Sequence, residues 1–184
     1  MDAFESLVAM LFEREGYWVK PNFKVELTKE EKRIIGRPSN ARWELDLVAY
    51  KGATNAILVV ECKSFFDSPG VRYNGFDGSN PKAAEQYKLF NETILRDTVL
   101  NRLKEQLKER GACSPSPTVT LALAAGKIVN ETDRAKIREH FKKNNWELFD
   151  QEWLKKQLDS VSHSRYENEV AAIVAKILLR GRPS

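Results

Sequence analysis

The sequence predicts an α/β fold built on a central mixed β-sheet flanked by helices. Three observations carry this expectation. Strand-like segments sit close together early in the chain, strand and helix patterns alternate later, and amphipathic helical stretches stand at both ends. Hairpin-linked strands are antiparallel, whereas strands joined through a helix are parallel, so one sheet holding both kinds is mixed.

The elements follow in order. Phe4, Leu7, Val8, Leu11 and Phe12 recur at helical spacing, so residues 2–15 form an amphipathic helix stopped by Gly16. Residues 17–27 are rich in aromatic and β-branched types and read as a strand, with Pro21 placing it at a sheet edge. Residues 29–42 carry Lys29, Lys32, Arg33, Arg37 and Arg42 around Gly36 and Pro38, a basic loop or hairpin. Residues 43–50 and 56–65 are two further strands joined by a short polar turn. Residues 67–80 are glycine-rich and aperiodic, and a connection of that length in a compact domain is functional or mobile. With Pro81 at its first position, a helix runs to about residue 110, with a break near 91–96. Residues 118–125 are apolar on both faces, as in a covered strand. Asn130 caps a helix to residue 143, residues 146–149 form a short strand, and a helix begins at 152. The last helix, 165–180, presents Val170, Ile173, Val174, Ile177 and Leu178 as one stripe, which packs on the sheet or offers a homodimer interface. The order is αβββαβαβα plus the C-terminal helix, in one domain over 1–184 with its core in 1–158.

Composition narrows the function classes. Hydrophobic content of 42% with 30% charged residues is that of a globular protein, and no apolar run is long enough to span a bilayer. The acidic N-terminus is unlike a secretory signal, which points to the cytoplasm. Cys62 and Cys113 have neither disulfide-framework nor zinc-site spacing. The net charge of +4 favours a polyanionic partner only weakly. His140 and His163 are isolated, which argues against histidine catalysis.

The chemistry lies in residues 43–65. Asp46, Glu61 and Lys63 interrupt hydrophobic strand sequence, and charge in such a setting requires pairing, solvent or a metal. Closing residue 51 against 56 over a four-residue turn sets 46 opposite 61, with the two Cβ atoms about 5 Å apart on one face. Lys63 follows on that face, roughly 6.6 Å along, while Cys62 points to the other side. Two facing carboxylates with unused lone pairs suit a hard divalent cation, Mg²⁺ or Mn²⁺, whose bound water and charge neutralisation serve phosphodiester hydrolysis. The bland alternative is an exposed cross-strand face with a surface ion pair worth under about 1 kcal/mol.

Asp46, fourteen intervening residues and then Glu61-x-Lys63 resemble the PD-(D/E)xK nuclease superfamily, the restriction-endonuclease-like fold. The segments ELDLVAY and VVECKSF resemble its Holliday-junction resolvase and Mrr-like branch. FESLVAMLFEREGYWV is similar to that branch's first helix, with its acid at Glu5, and EQYKLF to its second, with Gln86. The resemblance covers most of the chain up to residue 158. It implies a metal-dependent DNA endonuclease in which Asp46, Glu61, the Cys62 carbonyl and Glu5 face the metal. Lys63 is then the catalytic lysine and Gln86 a support. Leu45 stands where the signature names Pro, and Phe90 where some relatives have Tyr.

Glu5 reads equally well as a capping-box acid three residues after Asp2. Arg37, Arg42, Arg72 and Lys82 flank the proposed site in sequence and, with loop 67–80, form a nucleic-acid-binding groove; singly, each is an ordinary surface charge. A competing function is a non-catalytic nucleic-acid-binding or interaction domain that has kept the nuclease fold. Another is a nuclease that needs a partner subunit.

Overall fold

The computed structural model describes residues 2–39, 42–165 and 168–179. Five strands form one open sheet in the order β1-β2-β3-β4-β5, with β1, β2 and β3 antiparallel and β3, β4 and β5 parallel. This is the expected mixed sheet with helices on both faces.

Helix α1, Ala3–Arg14, begins at an Asp2 cap and turns out of the helix through Gly16 at φ 85°. Strand β1, Trp18–Val25, lies at the sheet edge, where Pro21 leaves no central ladder bond unmade. The segment expected as a basic loop instead holds helix α2, Lys29–Ile34. Its signal is Thr28-x-x-Glu31: the Thr28 hydroxyl accepts from the Glu31 N–H and the Glu31 carboxylate accepts from the Thr28 N–H.

Strands β2, Trp43–Lys51, and β3, Ala56–Lys63, pair in the predicted register from Lys51–Ala56 to Leu47–Val60. A 3₁₀ turn over Gly52–Thr54 joins them, with Asn55 left-handed at φ 49°. Strand β3 stops at Lys63, two residues early, because Phe65 takes φ 48°, outside strand geometry. The segment that follows is ordered by distant partners. Val71 bridges Ile128, the Tyr73 N–H donates to Asp133, and the Lys127 ammonium donates to the Ser68 carbonyl.

The predicted long helix is in pieces: α3 Pro81–Ala84, a 3₁₀ turn Glu85–Tyr87, α4 Lys88–Asn91 and α5 Thr93–Glu109. Strand β4, Thr118–Ala125, helix α6, Glu131–Lys143, and strand β5, Glu147–Phe149, follow as expected. Helix α7, Gln151–Ser162, starts at an Asp150 cap, and α8 is Val170–Leu179. Residues 166, 167 and 180 of the expected last helix lie outside the described residues.

Two cores flank the sheet. On one face α5 and α6 bury Leu95, Val99, Leu103, Ile137 and Phe141 against Ile57, Val59, Leu121 and Leu123. On the other, α1, α7 and α8 cover Leu47, Ala49, Leu58, Val60 and Ala122. The expected packing of the α8 stripe on the sheet is corrected. Helix α8 buries Ala172 and Ala175, small enough to seat it closely beside α7, and turns Val170 (76% exposed) and Ile177 (74% exposed) outward.

Candidate active site

The site grows from a break in strand alternation. Asn22 in β1 sits in the left-handed region at φ 48°, between the pairs Pro21–Leu47 and Phe23–Leu45. In a regular strand, residues two apart share a face. Here Leu47 belongs to the α1 core and Leu45 to the α5 core. Asp46 occupies the crossing point, so it is not the simple cross-strand neighbour of Glu61 that ideal alternation requires.

Its carboxylate takes up a different task. Asp46 Oδ2 accepts the Cys62 N–H at 2.8 Å, just beyond the end of the β2–β3 ladder. In a strand, the N–H and C=O of one residue point to the same side. The Cys62 carbonyl is therefore directed to the Asp46 side of β3, while its thiol side chain is buried in the α1 core. Burial pushes that thiol up, and Asp46 adds to the shift, so Cys62 contributes no thiolate near neutrality.

Glu61 and Lys63 stand together at the C-terminal end of β3, each about one-fifth exposed (21% and 20%), with Lys63 Nζ donating to Glu61 Oε1 at 2.5 Å. Burial raises the Glu61 carboxyl above the ordinary range; Lys63 opposes this, and Asp46 and Glu5 reinforce it. For Lys63, burial works against the ammonium, but Glu61 and Asp46 outweigh it and the net direction is upward. Lys63 is therefore charged at neutral pH.

Glu5 meets both expectations. Its carboxylate accepts the Asp2 N–H in a capping box, and it also lies near enough to the strands that Asp46 helps raise its carboxyl, after burial, the main cause. Glu5, Asp46 and Glu61 thus act on one another as like charges, with the Lys63 ammonium beside Glu61. No protein-family model, curated protein or solved structure matches this chain.

Among the described residues, no group of three or more His, Cys, Asp or Glu side chains is arranged to hold a metal ion. The available donors are the Asp46 and Glu61 carboxylates and the Cys62 carbonyl. One or two carboxylates with water completing the shell suit Mg²⁺, and the excess of acid around a desolvated Glu61 fits a cation at this point.

Gln86 falls outside this hydrogen-bonded group. It is exposed on the 3₁₀ turn Glu85–Tyr87 and lines an adjoining cavity of about 300 Å³ with Phe65, Arg72, Asn74 and Tyr87. The basic residues divide. Arg37 donates to both Glu92 oxygens at 2.9–3.0 Å and lies over the Trp43 ring at 5.1 Å, contacts that tie the segment after α2 to the cap of α5 and to β2. Arg42, Arg72 and Lys82 are exposed.

Sequence reasoning missed two supports. Gly126, at the end of β4, brings its Cα so close to the exit of β3 that an added Cβ meets the Ser64 carbonyl at 2.5 Å. Tyr87, buried in the α5 core, feels the Glu61 charge. A glycine directly after a covered strand was the available signal for the first; nothing local marks the second. No helix among the described residues is long and apolar enough to cross a membrane.

Proposed function

We propose that the chain is a Mg²⁺- or Mn²⁺-dependent DNA endonuclease with a restriction-endonuclease-like core of the PD-(D/E)xK type. One observation carries the reading: Asp46, Glu61 and Lys63 come together with the Cys62 backbone at the C-terminal end of β3. That end lies beside the parallel partner β4, and open α/β sheets bind ligands at the carboxyl ends of their strands.

Asp46, Glu61 and the Cys62 carbonyl would hold the metal, with Glu5 a further carboxylate of the group. When bound, the ion supplies charge neutralisation at the phosphoryl oxygen and a water of lowered pKa. The chain's own groups do the rest. Lys63 orients or activates the attacking water and stabilises charge developing on the phosphate. Glu61 positions the Lys63 ammonium by accepting its hydrogen bond. Asp46 anchors the Cys62 backbone and so sets where the carbonyl points. Arg42, Arg72 and Lys82 supply phosphate contacts around the site.

A second reading is a nucleic-acid-binding domain that keeps the nuclease architecture without catalysis. The Lys63–Glu61 ion pair favours it, since the ammonium already partners the Glu61 carboxylate without a cation. Purified protein and Lys63→Ala are incubated with plasmid, linear duplex, single-stranded and four-way DNA, with Mg²⁺ or Mn²⁺. Metal-dependent cleavage lost in a folded Lys63→Ala supports the nuclease. Calorimetric Mn²⁺ titration with no site-specific binding supports the second reading.

A further inference from the structure

The cavity next to the acidic group is built rather than incidental. It lies under the 64–80 segment, immediately after Lys63 in the chain, and shares Tyr87 with the electrostatic surroundings of Glu61. Its floor is the Tyr87 ring, held against Gly75 so closely that a Cβ there meets the ring at 2.7 Å. The Gly75 carbonyl is fixed in turn by the Asn91 side-chain amide at 2.8 Å. The wall is Phe65, a bulky residue at φ 48°, a conformation that persists only where the surroundings impose it. Gly70, at φ 109°, lets the loop backbone approach Lys127 and Val129, which pins the far side.

The polar lining is open for a ligand. Asn74 and Gln86 each present an amide that donates and accepts, and Arg72 presents a guanidinium; among the described residues these three side chains have no partner. A half-buried amide such as Asn74 without a protein partner is a ready hydrogen-bonding group. A volume near 300 Å³ is at the lower end for small-ligand sites and far too small for a duplex.

We propose that this cavity receives one unpaired nucleobase of the nucleic acid whose phosphodiester is held at Asp46, Glu61 and Lys63. The proposal rests on the nuclease reading for its position, and its test does not depend on cleavage. Amides that both donate and accept match the edges of a base, an aromatic wall matches its face, and Arg72 matches the attached phosphate. A paired base has its faces stacked and its edge occupied, so only an unstacked one can enter. Two sources supply the same ligand: a base extruded from a duplex, or one already in single-stranded DNA.

The experiment uses the metal-free 184-residue chain. Deoxynucleoside 5′-monophosphates are titrated while backbone amide resonances are followed, with inorganic phosphate as the control. The expected result is perturbation confined to residues 65–87 with nucleotides and not with phosphate, weakened about tenfold in Asn74→Ala and in Arg72→Ala, the loss of roughly one hydrogen bond each. Gly75→Ala, which displaces the Tyr87 ring, weakens it in parallel. Nucleotide perturbation absent from 65–87, or matched by phosphate alone, overturns the proposal. Nucleotide binding is read without metal and without cleavage, so a failure of the nuclease reading is seen separately in the cleavage assay. Oligonucleotides carrying 2-aminopurine then separate the sources. A fluorescence rise on binding duplex shows extrusion, and a change with the single strand only shows capture of a base already free.

Discussion

Asp46 has two tasks that one pair of substitutions separates. Its Oδ2 accepts the N–H of Cys62 at 2.8 Å, and its charge is part of the acidic group with Glu5 and Glu61. In Asp46→Ala the Cys62 N–H loses its acceptor beside a buried side chain, a cost of about 1–3 kcal/mol. For a chain of this size that corresponds to a fall in Tm of roughly 2–12 °C. In Asp46→Asn the amide oxygen can still accept. The neutral bond is weaker by about 1 kcal/mol, but removing a charge that opposes Glu5 and Glu61 offsets the loss, so stability stays close to the parent. Both substitutions remove a carboxylate from the proposed metal site and lower cleavage by roughly 100-fold or more. Urea unfolding curves and Mn²⁺-dependent plasmid cleavage on the two proteins provide the comparison. Asp46→Asn cleaving like the parent, or Asp46→Ala as stable as Asp46→Asn, overturns this division of roles.

Gly126→Ala places a methyl group 2.5 Å from the Ser64 carbonyl and 2.8 Å from the Phe66 ring, so the exit of β3 must shift. Expected are a loss of about 1–3 kcal/mol by denaturant titration and reduced cleavage, since Lys63 moves with that exit. Because the folded-state Glu61 carboxyl is raised, the folded protein binds more protons than the unfolded one above the ordinary carboxyl value of 4.5. Its contribution therefore makes the metal-free protein less stable as pH rises through that window, and Glu61→Gln flattens the dependence in thermal melts. Mn²⁺ raises Tm at neutral pH in the parent and fails to do so in Glu61→Gln. Ile177→Lys, on the outward face of α8, changes monomer stability by no more than about 0.5 kcal/mol. A larger loss at high dilution shows that Ile177 packs within its own chain; a change in sedimentation of the parent but not the variant shows that the stripe joins two copies.

The parts legible in the sequence are those determined by near neighbours. Helix α1 and its glycine stop, both faces of β4, the Asn130-capped α6 and the pairing of Lys51 with Ala56 all follow from periodicity, caps and the length of one turn. The convergence of Glu61 and Lys63 was legible for the same reason, since residues two apart on a strand share a side. Helix α2 was legible too, through its capping box, but a run of basic residues obscured it.

What the tertiary structure alone decided came from residues distant in sequence. The left-handed Asn22 reverses the faces of β1 and β2 and moves Asp46 from a cross-strand position onto the Cys62 backbone. Arg37, which reads as a phosphate contact, is occupied by Glu92, 55 residues away. The 64–80 loop is ordered by β4 and α6, and α8 settles on its alanines instead of its larger apolar side chains. Glu61 shifts because burial and the charges of Asp46 and Glu5 act on it together. Desolvation, ion pairing and close packing depend on which groups meet in space, whereas periodicity and capping depend on neighbours along the chain. The sequence therefore determined the elements and the chemical types at the site, and only the fold decided their contacts, charge states and accessible faces.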